Sequence, residues 1–428
     1  MSNSTEAAAI SYRWPKRYTV VGMCFLAAFI CYIDRVNISV AALAMQDEFG
    51  WSETTKGFVL SSFFIGYLLT QGIAGWLANR FGSKLVLGFA VIWWSAFTML
   101  TPLAAYASFP LLIAARIALG LGEAATFPSS YGIISHWVPV TERSRAIALL
   151  MSGIPVGTLF ALLTTGWIVS NYGWPAAFYV FGVTGIFWAA AWYAFVYDEP
   201  AAHPGISAGE LATIRGESGG QVARGNVPWK KLLAAPAFWA LLVNHFCSNV
   251  VLYVFLAWLP SYFRDVQGLS IGGAGIYSAA PWLTMFLMTN VSAWLADWLL
   301  RRGATTTAVR KLMQSIGLIG AAVFLLLVRD VDSPGMAVLY MSGALGLASF
   351  TIPGFGTNHL DIAPRYADVL VGITNTFGTI PGVVGVALTG WLVDRTGSYD
   401  SVFLLVAISN LFGVVIWLAF SSGRKVID

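Results

Sequence analysis

Twelve apolar runs, each long enough to cross a bilayer as a helix, divide this chain of 428 residues. They fall at about 18–44, 56–79, 84–106, 109–135, 146–170 and 174–197. After a polar stretch they resume at about 236–262, 272–300, 309–329, 334–358, 367–393 and 399–421. A hydrocarbon core of ~30 Å takes about 20 helical residues to span. In lipid every backbone amide must find its partner within the protein, so each run is expected to be a helix. The short alternating segments of a membrane barrel are absent. Only 10% of the residues are charged and 57% are hydrophobic, against roughly 25% charged in a soluble domain. The expected fold class is an all-α membrane protein with twelve transmembrane helices.

Five segments follow from the spacing: a polar tail (1–17), a first block of six spans (18–197), a linker (198–235), a second block of six (236–421) and a short tail (422–428). The linker is rich in Gly, Pro, Ser and charge. It has room for a short surface helix and no sign of catalytic chemistry. The polar start and the long first run show no cleavage site, so the first span is expected to act as its own uncleaved signal. Of the 24 basic residues, eighteen fall on one side of the spans. Lys56, Arg264, Arg329 and Arg395 fall on the other, and Arg35 and Arg116 lie within spans. That asymmetry places both termini in the cytoplasm. The net charge of +4 comes from clusters between spans, which is a topology signal and no footprint of nucleic acid. Cys24, Cys31 and Cys247 all sit inside apolar runs and read as small buried hydrophobes. No cofactor and no metal site is expected.

The chain also repeats itself. GWLANRFG starts at Gly75, GWIVSNYG at Gly166, AWLADWLLRRG at Ala293 and GWLVDRTG at Gly390. One related motif thus ends the middle span of every group of three. Two copies lie on each side of the membrane, so neighbouring triplets are inverted. Pro128 and Pro139 leave span four with the same spacing as Pro353 and Pro364 leave span ten. Inverted three-helix repeats nested in two halves are a pattern of secondary transporters.

These motifs carry a resemblance. GWLANRFGSK resembles the loop signature of the major facilitator superfamily, with Asn79 where an Asp is usual. YIDRVNISVA, SSFFIGYLLTQ, RIALGLGEAATFP, NHLDIAPRYADVLVGITN and the terminal FSSGRKVID resemble the anion:cation symporter family. That family includes bacterial sugar-acid transporters, vesicular glutamate transporters, sialin and plant plastid phosphate transporters. The match covers nearly the whole chain. NHLDIAPRYA is its most specific piece and is closer to the eukaryotic and plastid branch. The resemblance implies two pseudo-symmetric six-helix bundles, the major facilitator fold. It implies a gating motif at Gly75, Asn79, Arg80, Gly82 and Lys84, with Asp297 and Arg301 in a second copy. A monomer in a bacterial inner membrane, with both termini cytoplasmic, is the expected setting.

Four charged side chains lie deep in the spans: Asp34 and Arg35 on the first, Arg116 and Glu123 on the fourth. An ion at the bilayer centre costs several kcal/mol and is a functional candidate by default. At 1.5 Å per residue, Asp34 lies roughly 24 Å from the end of its helix, Glu123 roughly 18 Å and Arg116 roughly 28 Å. Asp34 is expected to pair with Arg116, while Glu123 has no evident cation at its level. Such groups either hold helices together or, where a carboxyl stands without a partner, carry a proton. On the second reading Asp34 and Glu123 take up protons and Arg35 holds an anionic solute. The resemblance assigns the same roles. It adds Tyr32, Tyr67 and Arg116 as site residues from the first half and Asn375 as a polar contact from the second. Tyr253, on the seventh span and deeper than His245, is a further candidate for the site. Where sugar-acid transporters carry a Gln in the fifth span, this chain has Ile154 or Pro155, which makes a smaller anion more plausible.

The expected function is proton-coupled symport of a small organic anion, a carboxylate or sugar acid. Inorganic phosphate and Na⁺ coupling stand as alternatives, and a non-transporting sensor on the same scaffold as a rival of another class. An ATP-driven pump is disfavoured, since no G-x-x-x-x-G-K-[ST] loop occurs. An enzyme is disfavoured too, with four scattered histidines and no H-E-x-x-H pattern.

Overall fold

The computed structural model describes residues 14–216 and 227–427, so the tail 1–17 and the linker 198–235 fall partly outside the described residues. Among the described residues no strand occurs, and twelve helices are long and apolar enough to cross a membrane. In the first half these are α1 (Lys16–Phe49), α2 (Glu53–Phe81), α3 (Ser83–Ala107), α4 (Phe109–Trp137), α5 (Arg143–Tyr172) and α6 (Trp174–Phe195). In the second they are α7 (Pro236–Asp265), α8 (Ile271–Arg301), α9 (Thr306–Asp330), α10 (Pro334–Ile362), α11 (Val369–Thr396) and α12 (Asp400–Phe420). Most outrun their apolar cores, because helical pairing continues until a polar cap ends it. Ser52, Ser108, Ser270, Thr305 and Ser333 each accept the third following backbone N–H, the usual way to satisfy a helix start. The linker carries a short helix, Ala208–Gly216.

The two sets of six pack as separate bundles: α1 lies on α5 and α3 on α6 in the first, α8 on α10 and α9 on α12 in the second. Small residues set the closest approaches. Gly66 of α2 lies against the Ile117 carbonyl of α4, and Gly120 of α4 against the Phe63 carbonyl of α2. A methyl at either position would push the backbones apart. The helical regularity of α4 breaks immediately after Glu123 and resumes at Thr126. Pro128 explains the break, since it has no N–H to give the carbonyl one turn earlier and its ring crowds that turn. α10 breaks at the equivalent place, with a wide turn over Ile352–Gly356 that contains Pro353.

The halves meet through α2 with α11 and α5 with α8. Contact is tight near the face opposite the termini. Gly166 of α5 and Gly272 of α8 lie backbone to backbone there. Asp394 of α11 accepts the backbone N–H groups of Glu53 at 2.9 Å and Thr54 at 2.7 Å, capping α2 from the other half. Arg264 of α7 donates to the Leu43 carbonyl at 2.7 Å and to Gln46 at 2.9 Å on α1. A hydrogen bond from Thr379 to Gln71 (3.3 Å) marks the limit of this contact. Past it, Gly72 and Gly75 on α2 and Gly372 on α11 have nothing within 4 Å of where a side chain would begin. The molecule is closed toward the opposite face and open toward the face that carries both termini.

Candidate functional site

Asp34 and Arg35 on α1 meet Arg116 and Glu123 on α4 in the interior of the first bundle, none more than 5% exposed. Arg35 donates to Glu123 Oε2 from Nη2 at 3.0 Å and from Nε at 3.2 Å. The Cys31 thiol donates to the same oxygen at 3.2 Å. The expected pairing is corrected here: Glu123 does have a cation, and it is Arg35. Depth counted along the helix axis overlooks the lean of side chains toward the helix N-terminus. α1 starts at the terminal face, so Arg35 leans toward that face and down to the level of Glu123. α4 runs the other way, so Glu123 leans up to meet it and Arg116 leans away from Asp34.

Asp34 therefore makes no ion pair of hydrogen-bonding length. Neither of its carboxyl oxygens has a hydrogen-bond partner within the protein, and the same holds for Nε and Nη1 of Arg116. Arg116 lies close enough to act on Asp34 as a charge, and Trp94 and Thr98 of α3 face the carboxyl. Their Nε1 and Oγ1 atoms are themselves buried without partners.

Aromatic rings enclose the Arg35 guanidinium. Its carbon lies 4.7 Å from the ring centres of Tyr32 and Tyr67 and 4.9 Å from Phe63. Guanidinium on aromatic faces is favourable by ~1–2 kcal/mol when desolvated. Arg116 also approaches Phe63, at 5.6 Å. Both guanidinium groups line one narrow cleft, together with Ile38, Leu60 and Leu256. Tyr253 reaches this region from the second half, packing edge-on against Phe64 with ring centres 4.7 Å apart. Asn375 stands one turn nearer the terminal face on α11, half-buried, where its carbonyl accepts from Thr379.

The gating-motif residues lie at the open face. Asn79 and Arg80 are exposed, as are Asp297 and Arg301. Gly82 adopts φ +89°, which only glycine takes without strain. Lys84 is held within the first half: its backbone N–H donates to Asp198 at 2.7 Å and its ammonium sits 4.7 Å from the Tyr197 ring centre. Sequence reasoning missed the residues that close the opposite face. Lys56 is fully buried, held by Glu53 at 2.8 Å and Gln46 at 2.8 Å. The repeat held a signal. Asp394 in GWLVDRTG occupies the position of Asn79 in GWLANRFG, so the copy on the opposite face keeps the carboxylate that the first copy lacks.

The model of the Major Facilitator Superfamily matches residues 24–386. The chain belongs to the major facilitator superfamily. It is a secondary transporter of that type, and the relatives it matches include plant proteins named as anion transporters. The probable anion transporter 4, chloroplastic, of Oryza sativa subsp. japonica is 45% identical over 100% of this chain and 72% of its own length. The chloroplastic ascorbate transporter of Arabidopsis thaliana is 42% identical over 100% of this chain and 79% of its own. The chloroplastic sodium-dependent phosphate transport protein 1 of the same plant is 42% identical over 97% and 81%. Among solved structures, the fold is similar to a bacterial homolog of the human lysosomal transporter Spinster in an inward-facing, occupied conformation. The TM-score is 0.78 at 19% identity, over 95% of this chain and 97% of that one. The expected bacterial inner membrane is overturned by these chloroplastic relatives. Span hydropathy and the sorting of basic residues fix which side a loop takes; they are blind to which organelle the membrane encloses.

Proposed function

We propose that this transporter carries a small organic anion together with protons across a plastid membrane, by alternating access. The observation that supports this most is the pairing of the caged Arg35 with Glu123, beside a second guanidinium on the same cleft. A buried ion pair gains little net stability, because desolvation offsets most of its attraction. It is therefore suited to exchanging partners. An anion entering the cleft competes with Glu123 for Arg35. Glu123, deprived of its cation in a buried setting, takes up a proton, and the site keeps its charge balance. Anion and proton then favour each other's binding, which is the coupling a symporter needs. Each tenfold proton gradient contributes about 1.4 kcal/mol per proton. Asp34, unbonded and close to Arg116, is the second proton-accepting group.

The faces of Tyr32, Phe63 and Tyr67 around Arg35 favour an anion with a flat or carbon-bearing body, of the size of ascorbate or a sugar acid. One feature favours inorganic phosphate instead: Ile154 and Pro155 offer no amide for substrate hydroxyls. Thermal unfolding of the purified protein with ascorbate, a sugar acid or phosphate separates the two. The proposal expects stabilisation by an organic anion that disappears in Arg35→Ala. Stabilisation by phosphate alone supports the second reading, and stabilisation that survives Arg35→Ala removes Arg35 as the anchor.

A further inference from the structure

Hydroxyl groups in membrane helices usually bond back to a carbonyl of their own helix. This chain does so repeatedly, at Ser62, Thr70, Thr101 and Thr158 among others. Of the buried hydroxyls in the first bundle that do not, five gather on two helices: Ser95 and Thr98 on α3, and Thr126, Ser129 and Ser130 on α4 bond to no carbonyl. All are at most 1% exposed. The other described hydroxyls of this kind, Thr165, Ser261 and Ser421, lie apart on α5, on α7 and beyond α12. Burying one such group costs of the order of 1–3 kcal/mol, so a cluster of them calls for a cause. Buried polar groups of this sort are commonly satisfied by bound water.

The cluster has a direction. Thr98 faces Asp34, and Glu123 Oε1 is unpartnered at the same level. From Glu123 the series runs along α4 toward the terminal face through Thr126 and then Ser129 and Ser130. Glu123 to Ser129 spans about 9 Å. Thr126 and Ser130 face the thiols of Cys31 and Cys24 on α1. One turn further, Gly132 lies against the Ser83 hydroxyl, where a Cβ would collide with it. Ser83 opens α3 at the terminal face, and the next backbone N–H is bonded to the Asp198 carboxylate. The seam thus joins two buried carboxyls to an acceptor on the surface. It lies inside the first bundle, away from the cleft and from the open space between the halves.

We propose that protons leave Glu123 and Asp34 through this hydroxyl seam, carried by water bound along it, while the anion leaves between the halves. The idea rests on the proton-coupling reading above. Each step moves one proton. The Glu123 carboxyl gives its proton to a neighbouring water or hydroxyl oxygen, which releases its own to the next, and the last goes to the Asp198 carboxylate. Separate exits keep the proton from being trapped beneath the anion. The charged and titratable groups facing Glu123 are Arg35 and Cys31 of α1 and Arg116 of α4, with Asp34 close by. None of these residues is itself altered when only seam hydroxyls are changed.

The test follows the infrared carbonyl stretch of protonated carboxylic acids after a rapid drop in pH. The Glu123 band is identified by its loss in Glu123→Gln. In the double variant Thr126→Val, Ser129→Ala, whose side chains are close in size to the originals, the band should grow about tenfold more slowly than in wild type. Thr126→Ser should keep the wild-type rate, and Gly132→Ala, which displaces Ser83, should slow it. An unchanged rate in the double variant overturns the seam while leaving proton coupling intact. Absence of any Glu123-dependent band in wild type overturns the coupling reading and the seam with it.

Discussion

Asp394→Ala offers a direct reading of how the closed face is held. The Asp394 carboxylate takes one backbone N–H on each oxygen, from Glu53 and Thr54. These are donors at the start of α2, yet Asp394 belongs to α11 in the other half. Helix capping of this kind ordinarily contributes to the stability of a single unit. Here it contributes to one conformation only, since opening this face must pull α11 away from α2. Loss of a cap costs ~0.5–2 kcal/mol. Asp394 is exposed, which places the loss in the lower half of that range. About 0.5–1 kcal/mol corresponds to a roughly 2- to 5-fold shift toward the state open at this face. Spin labels at Asn171 and Arg329, exposed on this face in the two halves, report the change as a distance distribution by pulsed electron resonance. The native cysteines are buried and stay out of the labelling. Asp394→Ala should raise the long-distance population, and Asp394→Asn, which keeps one acceptor, should raise it less. An unchanged distribution in a folded Asp394→Ala protein refutes the argument that the cap acts between halves.

Two further predictions concern the site and the packing beneath it. Glu123→Gln should abolish accumulation driven by a pH gradient in proteoliposomes while counterflow exchange persists; equal loss of both activities assigns Glu123 a merely structural role. Gly66→Ala places a methyl against the Ile117 carbonyl and should destabilise the first bundle by about 1–3 kcal/mol. Gly75→Ala on the same helix, with open space around it, should leave the thermal midpoint unmoved, and similar midpoints for the two variants would contradict the packing account.

The twelve helices were legible because lipid leaves the backbone no alternative, and the inverted repeat fixed their grouping. Asp34, Arg35, Arg116 and Glu123 stood out because charge inside an apolar run needs a cause. Their partners were not legible. Axial depth put Asp34 nearest Arg116, but the lean of side chains on antiparallel helices joined Arg35 to Glu123. The break in α4 immediately after Glu123 depends on Pro128, five residues away. Lys56 and Arg264 sorted correctly as residues of the opposite face, yet their burial against the other half is a property of conformation that hydropathy does not record. Hydroxyls at Thr126 and Ser129 carried no signal, since a Ser or Thr that bonds to its own helix has the same sequence as one that does not.

The central claim is that the anion takes Arg35 from Glu123 and that a proton takes its place. Titration of the anion into purified protein in weakly buffered solution, with a pH-sensitive dye, measures this at equilibrium. The account predicts proton uptake that tracks anion binding and is reduced in Glu123→Gln. Saturable binding with no change in bound protons would contradict it.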